Sequence, residues 1–217
     1  MSHAIPIVFV VDDDISVRES LELLIRCEGW QPEIFASAQD FLDRPRAKVP
    51  SCLILDLSLP GLNGLELQRR VAVDRTNLPI IFITGHGDVP TTVQAMKAGA
   101  QEFLTKPFCE DALLNAVRHA IERSQSALNH EAAMQTLRAR YKALTRREQE
   151  VMKLVASGLL NKQVGAELGI SEITVKAHRG NMMRKMEANS FADLVNMAAR
   201  LRLAHPLATT ARRANEF

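Results

Sequence analysis

The sequence predicts a doubly wound α/β domain, a parallel sheet with helices on both faces, followed by a separate all-helical unit of four short helices. Three observations predict it. Over roughly the first 123 residues, five short apolar runs alternate with stretches whose apolar residues recur at helical spacing. One of those runs, Leu53-Ile54-Leu55, ends in a carboxylate, Asp56, ahead of a Pro60-Gly61 turn. Buried strands of such sheets end this way, at the edge where ligands bind. From residue 142 onward the strand signal is gone, and capping residues and glycines mark off short helices.

The chain has 217 residues, 47% apolar and 24% charged, which suits a soluble protein of one large or two ordinary domains. Its longest apolar run, Ile5 to Val11, is broken by Pro6 and is far too short to span a bilayer, so no membrane partner is expected. No basic residue precedes that run and no cleavage-like pattern follows it, which argues against a secretory signal and for a cytoplasmic location. Cys27, Cys52 and Cys109 are odd in number and widely spaced. They are expected to be buried thiols in a reducing compartment, not a disulfide framework or a zinc site. Residues 1–123 hold 12 Lys/Arg against 17 Asp/Glu, and residues 142–205 hold 11 against 6. An acidic half joined to a basic half suggests two modules, the second with a polyanionic partner.

Ile7 to Val11 reads as a central strand buried on both faces. Asp12, Asp13 and Asp14 follow at once, then Val17, Leu21, Leu24 and Ile25 at helical spacing. Ile34-Phe35 marks a second strand, and Ser37 can cap a short helix with Asp40 at its third position. The Asp56 strand comes next, then a helix from about Asn63 to Val73. Leu78 to Thr84 is a fourth strand, ending in a Gly85-His86-Gly87 loop, and a helix with Val93, Met96 and Lys97 follows. Glu102 to Leu104 is a short fifth strand ending at Thr105-Lys106-Pro107-Phe108, and a helix starts near Cys109.

Parallel strands end on one side, so Asp12, Asp13, Asp56, Thr84 and Lys106 fall on the same edge. Any one of them alone is an ordinary surface polar group; four successive strand ends are not. Crowded carboxylates repel unless a cation joins them, and oxygen ligands of this kind suit Mg²⁺. The Thr84 hydroxyl and the Lys106 ammonium both suit phosphoryl oxygens. The chemistry implied is phosphoryl transfer to a carboxylate, with Asp56 as nucleophile and Gly85 leaving room for the donor.

Val11-Asp12-Asp13, Leu55-Asp56, Pro60-Gly61, Ile83-Thr84-Gly85-His86-Gly87 and Lys106-Pro107-Phe108 resemble the receiver domain of two-component response regulators, over about residues 5–123. The resemblance implies a flavodoxin-like fold of strand order 2-1-3-4-5. It implies phosphorylation of Asp56 from the phosphohistidine of a sensor histidine kinase. It implies Mg²⁺ held by Asp13, Asp56 and the backbone carbonyl of Ser58, with help from Asp12. Thr84 and Phe103 would form a switch pair acting on the face made by the fourth helix, the fifth strand and the fifth helix. Lys106-Pro107 would be a cis peptide. A haloacid-dehalogenase-like phosphatase also uses a strand-end Asp, Mg²⁺, a Thr and a Lys, but it needs a second Asp two residues after the nucleophile, where this chain has Ser58.

No Gly or Pro occurs from Cys109 to Ala156, and Leu113, Val117, Ile121, Ser124, Leu128 and Leu137 fall near heptad spacing. One long helix is expected to leave the first domain and reach about Arg140, with residues 124–141 as linker, either a coiled-coil dimer seam or a solvated spacer. Thr145-Arg-Arg-Glu148 is a capping box, and Gly158 ends the helix it opens. Asn161 can cap a short helix, Gly169 makes a turn, Ser171 caps the next helix to about Met186, and Ser190 opens a fourth. Two short helices joined by a Gly-containing turn in a basic unit read as a helix-turn-helix.

On the second of those helices, Val175, His178, Met182 and Met186 form a core stripe, opposite Ile173, Lys176, Ala177, Gly180 and Arg184, with Asn181 beside them. The outer stripe should face the major groove. Lys176 can read guanine or bind phosphate, and Ala177 can touch a thymine methyl. Thr174, Arg179, Arg184, Lys185 and, on the scaffold helix, Lys162 are phosphate candidates. Gly180 supplies no side chain for readout and costs about 1 kcal/mol of helix stability.

Leu144-Thr145-Arg146-Arg147-Glu148, Asn161-Lys162, Leu168-Gly169-Ile170-Ser171 and Thr174-Val175-Lys176-Ala177-His178-Arg179 resemble the LuxR-type helix-turn-helix of NarL/FixJ response regulators, over about residues 142–203. The run from Thr174 places His178 among the DNA-binding candidates, and Asn181 joins them by its place beside the groove-facing stripe. The whole chain is similar to regulators of aromatic-compound catabolism. The expectation is a receiver at 1–123, a linker, a DNA-binding domain at 142–205 and a tail at 206–217 with no assigned role. The protein would be a regulator and not an enzyme. Its expected partners are a sensor kinase, double-stranded promoter DNA, a second copy on phosphorylation, and RNA polymerase. Two alternatives stay open: a DNA binder whose receiver is only a dimerisation platform, and the phosphatase.

Overall fold

A run such as Ile7–Val11, apolar at every position, satisfies a strand only if both faces are covered. In the computed structural model, which describes residues 4–45, 48–75, 77–85 and 89–203, all five of those residues are buried. The elements of the first part are β1 (Ile7–Val11), α1 (Ile15–Cys27), β2 (Gln31–Phe35), α2 (Ala38–Asp43), β3 (Ser51–Asp56), α3 (Gly64–Asp74), β4 (Ile80–Thr84), α4 (Val89–Lys97), β5 (Glu102–Thr105) and α5 (Glu110–Lys142). The strands pair in parallel in the order β2-β1-β3-β4-β5. Alternate residues feed two cores: Phe9, Val11, Leu53, Leu55 and Phe82 on one face, and Val8, Val10, Ile54, Ile81 and Ile83 on the other. The chain steps from β1 outward to β2, then back across to β3, so β1 and β3 flank the crevice at the switch point.

Local chemistry sets the element ends. Asp14 accepts from Ser16 N at 2.8 Å and caps α1, Ser37 caps α2, and Asn63 with Glu66 closes a capping box on α3. β2 carries Pro32 and lies at the sheet edge, where a missing N–H is tolerated. Pairing in β4 begins at Ile80, two residues into the apolar run. Pro79 has no N–H to give, although its carbonyl accepts from Leu53 N at 2.9 Å.

One expectation needs correction. Only Cys52 is buried, and burial pushes its thiol up to about 12; Cys27 and Cys109 are exposed, since they sit at the outer end of α1 and just ahead of α5. The expected helix with Val93, Met96 and Lys97 is α4, on which Ala95 is buried while Val93 and Met96 are exposed. His86 and Gly87, and the tail 206–217, lie outside the described residues.

The chain falls into two compact units, Met1–Glu131 and Ala132–Phe217. The second holds the end of α5 with α6 (Arg146–Ala156), α7 (Asn161–Leu168), α8 (Glu172–Met186) and α9 (Phe191–Arg200) around Val151, Met152, Val155, Val164, Met182 and Leu194. The near-heptad stripe of α5 is largely taken up inside the units. Leu113 and Val117 pack on the sheet, and the buried Ser124 hydroxyl accepts from Ser51 N at 3.0 Å. Leu137 packs in the core of the helical unit. Among the described residues no helix is long and apolar enough to cross a membrane.

Candidate functional site

β1 and β3 pair with Val11 opposite Leu55, so the next residues, Asp12 and Asp56, emerge side by side. β4 and β5 pair with Thr84 opposite Thr105, which brings Lys106 to the same edge. Asp12 and Thr84 are fully buried, Asp56 nearly so, and Asp13 is exposed. Carboxylate oxygens of Asp12, Asp13 and Asp56 lie within 4.8 Å of one another. The Lys106 ammonium donates to Asp12 Oδ2 at 2.7 Å and to Asp56 Oδ2 at 3.4 Å. Lys106 N in turn donates to Thr84 O at 2.7 Å, and Lys106-Pro107 is cis.

The electrostatics follow from that arrangement. Burial raises the Asp12 carboxyl above its ordinary range, and the Lys106 hydrogen bond and the Asp14 N–H only partly oppose it. Burial alone would lower Lys106, but the Asp12 bond and the Asp12 and Asp56 charges outweigh it and hold the ammonium charged. Lys106 thus faces Asp12 and Asp56, with the Asp13 carboxylate beside them, and all three are hard oxygen donors. The set fits a divalent ion such as Mg²⁺ in both charge and donor type.

Around this centre, Ser58 is exposed and its N–H donates to Asp56 Oδ1 at 3.3 Å. Among the described residues, nothing lies within 4 Å of where a Cβ on Gly85 would point. Phe103 is half-buried, with its ring centroid 6.1 Å from that of Phe82. Two contributors were not singled out by sequence. Arg18 donates to the Asp12 carbonyl at 2.7 Å. Gly64 packs so closely that a Cβ there would lie 2.6 Å from the Asp56 carbonyl oxygen. An Asn-Gly pair at the start of a helix was the available signal for Gly64.

The helical unit is built from its caps. Thr145 and Glu148 close their box, Ser171 accepts from Thr174 N at 3.1 Å, and Ser190 accepts from Asp193 N at 3.1 Å. Gly169 turns the chain at φ 66°, and a Cβ on Gly165 would lie 2.7 Å from Ile170 O, so α7 and the turn meet backbone to backbone. Asn161 is not the cap of α7. Leu160, extended at ψ 155°, holds that position and donates its N–H to Gln163 Oε1 at 2.8 Å; Asn161 is already the first helical residue, and its side chain accepts from Arg179.

α8 divides as its periodicity predicts. Val175, Met182 and Met186 are fully buried, and His178 is only half-buried. Ile173, Lys176, Ala177, Gly180, Asn181 and Arg184 are all exposed. Thr174 is exposed with its hydroxyl 2.8 Å from Ser171 Oγ, and Lys162 is exposed on α7. Two of the expected phosphate ligands are engaged inside the unit instead. Arg179 donates to Asn161 Oδ1 at 2.6 Å and stacks over Phe191, and the Lys185 ammonium lies 2.7 Å from the buried Glu148 carboxylate.

A five-stranded 2-1-3-4-5 sheet with acidic strand tips, joined to a helix-turn-helix unit, defines a receiver domain coupled to a DNA-binding domain. The receiver domain of response regulators matches residues 8–118, and the luxR family of bacterial regulatory proteins matches residues 142–198. Nodulation protein W of Bradyrhizobium diazoefficiens is 52% identical over 195 residues, covering 90% of this chain and 86% of that protein. Response regulator protein TodT of Pseudomonas putida is 44% identical over 202 residues, covering 93% and 89%. The solved structure of response regulator StyR is 46% identical with a TM-score of 0.81, covering 91% of this chain and 100% of that one. The chain belongs to the two-component response regulators of NarL/FixJ type, with a receiver and a LuxR-type DNA-binding domain.

Proposed function

We propose that Asp56 is the phosphoacceptor of a transcriptional switch. The observation that carries this is the Lys106 ammonium set between Asp12 and Asp56, at 2.7 Å and 3.4 Å, at the sheet's switch-point edge. An Asp56 oxygen attacks the phosphorus of a kinase phosphohistidine; the O–P bond forms as the P–N bond breaks, and the imidazole leaves to the kinase. Asp12, Asp13, Asp56 and the Ser58 carbonyl would hold Mg²⁺, which supplies charge compensation for the phosphoryl oxygens. Lys106 and the Thr84 hydroxyl bind the remaining oxygens, Gly85 leaves the approach open, and Phe103 follows Thr84 as the second member of the switch pair.

Phosphorylation then favours a dimer. Two LuxR-type domains bind adjacent half-sites of double-stranded DNA, and linkage raises affinity by effective concentration. Lys176 and Ala177 are the base-edge candidates, with Asn181 beside them. Thr174, Lys162 and Arg184 take phosphates, and His178, half-buried, braces the helix. The receiver spans 1–123 and the DNA-binding domain 142–205, joined by residues 124–141 of α5. Output passes to RNA polymerase in the cytoplasm.

The test is DNA affinity and solution mass with and without beryllofluoride plus Mg²⁺, with Asp56→Asn as control. A mimic that makes the wild type dimeric and tightens operator binding, while Asp56→Asn ignores it, supports the switch. Equal binding either way transfers the role of the receiver to that of a dimerisation platform. Turnover of small phosphate esters without DNA binding would point to a phosphatase.

A further inference from the structure

We infer that Arg179 is a positioning residue for DNA binding and not a phosphate ligand: it clamps α8 to the starts of α7 and α9, leaving the phosphates to Lys162, Thr174 and Arg184. This rests on the reading that α8 enters the major groove. Arg179 Nη1 donates to Asn161 Oδ1 at 2.6 Å, and its guanidinium carbon sits 4.8 Å from the centroid of the Phe191 ring. Asn161 is the first residue of α7 and Phe191 the first of α9. One side chain from the middle of α8 therefore ties three helices together. Gly165 against Ile170 fixes the opposite, turn end of the α7–α8 pair. With both ends fixed, the angle at which α8 presents Lys176 and Ala177 is set before DNA arrives.

The remaining cations are placed differently. Lys176 is exposed and, among the described residues, holds only an i,i+4 surface pair with Glu172 at 3.3 Å, the kind of contact that DNA displaces at little cost. Arg184 is exposed with a long 3.4 Å contact to Asn181, and Lys162 is exposed. Lys185 resembles Arg179 in being committed inward, to Glu148. A planar guanidinium that both hydrogen-bonds and stacks is not replaced by an ammonium, and this separates the two roles experimentally.

The experiment uses the full chain with beryllofluoride and fixed low Mg²⁺, a mixed-sequence DNA duplex as probe, and affinity measured over a range of salt. Each phosphate contact contributes about 0.9 to the slope of log affinity against log salt. Lys162→Gln and Arg184→Gln should each lower the slope by about that amount. Arg179→Gln and Arg179→Lys should both weaken binding by about tenfold with the slope unchanged. Asn161→Ala should give a similar loss, and the Asn161→Ala/Arg179→Gln double variant no more than either single change. The inference is overturned if Arg179→Gln lowers the slope and Arg179→Lys restores it, which is the behaviour of a phosphate ligand. It is equally overturned if Arg179→Gln only lowers the melting temperature and binds as wild type below its transition. A wild-type chain that shows no salt-dependent DNA binding would instead overturn the underlying reading, and is told apart by that fact.

Discussion

Glu148, in the first turn of α6, and Lys185, near the end of α8, form a 2.7 Å ion pair whose carboxylate is almost wholly inside the helical unit. Glu148 also accepts the Thr145 N–H at 2.7 Å, while its own N–H donates to Thr145 Oγ1 at 3.2 Å. The same side chain caps α6 and fastens it to α8. Burial by itself would raise this carboxyl. The Lys185 bond, the Thr145 contacts and the Lys185 charge outweigh burial and hold it below its ordinary 4.5. A carboxyl lowered in the folded state stabilises it above the unfolded value, and that stability is lost as pH falls through the folded value. The helical unit should therefore weaken progressively below about pH 4.5. Glu148→Gln should cost roughly 2 kcal/mol at neutral pH and flatten that acid limb. Calorimetric melting of the helical unit against pH checks this; a variant curve parallel to wild type throughout would contradict it.

Asp12 behaves in the opposite sense. Its carboxyl is fully buried and raised, so its ionisation works against the fold. That opposition is absent below the unfolded value of 3.8 and is fully present once pH exceeds the folded value. At neutral pH in a chelator, Asp12→Asn should raise the receiver's melting temperature by a few degrees. Added Mg²⁺ should then stabilise wild type and leave Asp12→Asn nearly unmoved, because a ligand stabilises only the state that binds it. Melting in chelator and in Mg²⁺ decides it: a variant that melts lower in chelator, or gains as much from Mg²⁺, refutes the argument.

These two carboxylates show what the sequence carried and what it hid. Strands buried on both faces announce themselves as unbroken apolar runs, and parallel strands share an edge, so Asp12, Asp56, Thr84 and Lys106 were legible together. Caps at Ser37, Thr145, Ser171 and Ser190 were legible because a short polar side chain before an apolar periodicity has few other uses. What sequence could not show is which distant neighbour a charge meets. Arg179 and Lys185 look like free cations on a basic helix until Asn161, Phe191 and Glu148 are brought to them by the fold. Close backbone approaches at Gly64 and Gly165, and the outward turn of Val93 and Met96, are likewise properties of packing.

Arg75 was hidden in the same way. It is buried at the end of α3 and donates to the carbonyls of Phe41 and Leu42, at 3.1 Å and 3.3 Å, and to that of Arg44. Its guanidinium carbon lies 4.4 Å from the centroid of the Phe41 ring. Those carbonyls close α2, so the side chain is a C-terminal cap supplied from another helix. Arg75→Met should destabilise the receiver by about 3 kcal/mol, with Arg75→Lys recovering only part, since an ammonium lacks the fork and the flat stacking face. The chain has a single Trp, Trp30 in the receiver, so urea unfolding followed by its fluorescence reads this unit alone. An Arg75→Lys protein as stable as wild type would remove the geometric part of the argument.

Gly64 links stability to the site itself. A Cβ there would meet the Asp56 carbonyl oxygen at 2.6 Å, Leu57 Cα at 3.0 Å and Phe82 Cε1 at 3.1 Å. The two nearest of these are backbone and cannot swing aside. The Gly64 N–H also donates to Leu57 O at 3.1 Å, which holds α3 against the loop that leaves β3. Gly64→Ala must push α3 and that loop apart, at a cost of about 1–3 kcal/mol. The loop follows Asp56, the last residue of β3, and holds Ser58, so the displacement should also weaken Mg²⁺ and beryllofluoride binding, measured well below the melting transition. Gly85→Ala is the contrasting change: with nothing near its Cβ among the described residues, it should leave stability within about 0.5 kcal/mol of wild type. If Gly64→Ala melts lower yet binds Mg²⁺ and beryllofluoride as wild type, the close packing serves the fold alone. If both properties fall together while Gly85→Ala keeps its stability, the contact at Gly64 is what holds Asp56 in register with Asp12 and Lys106.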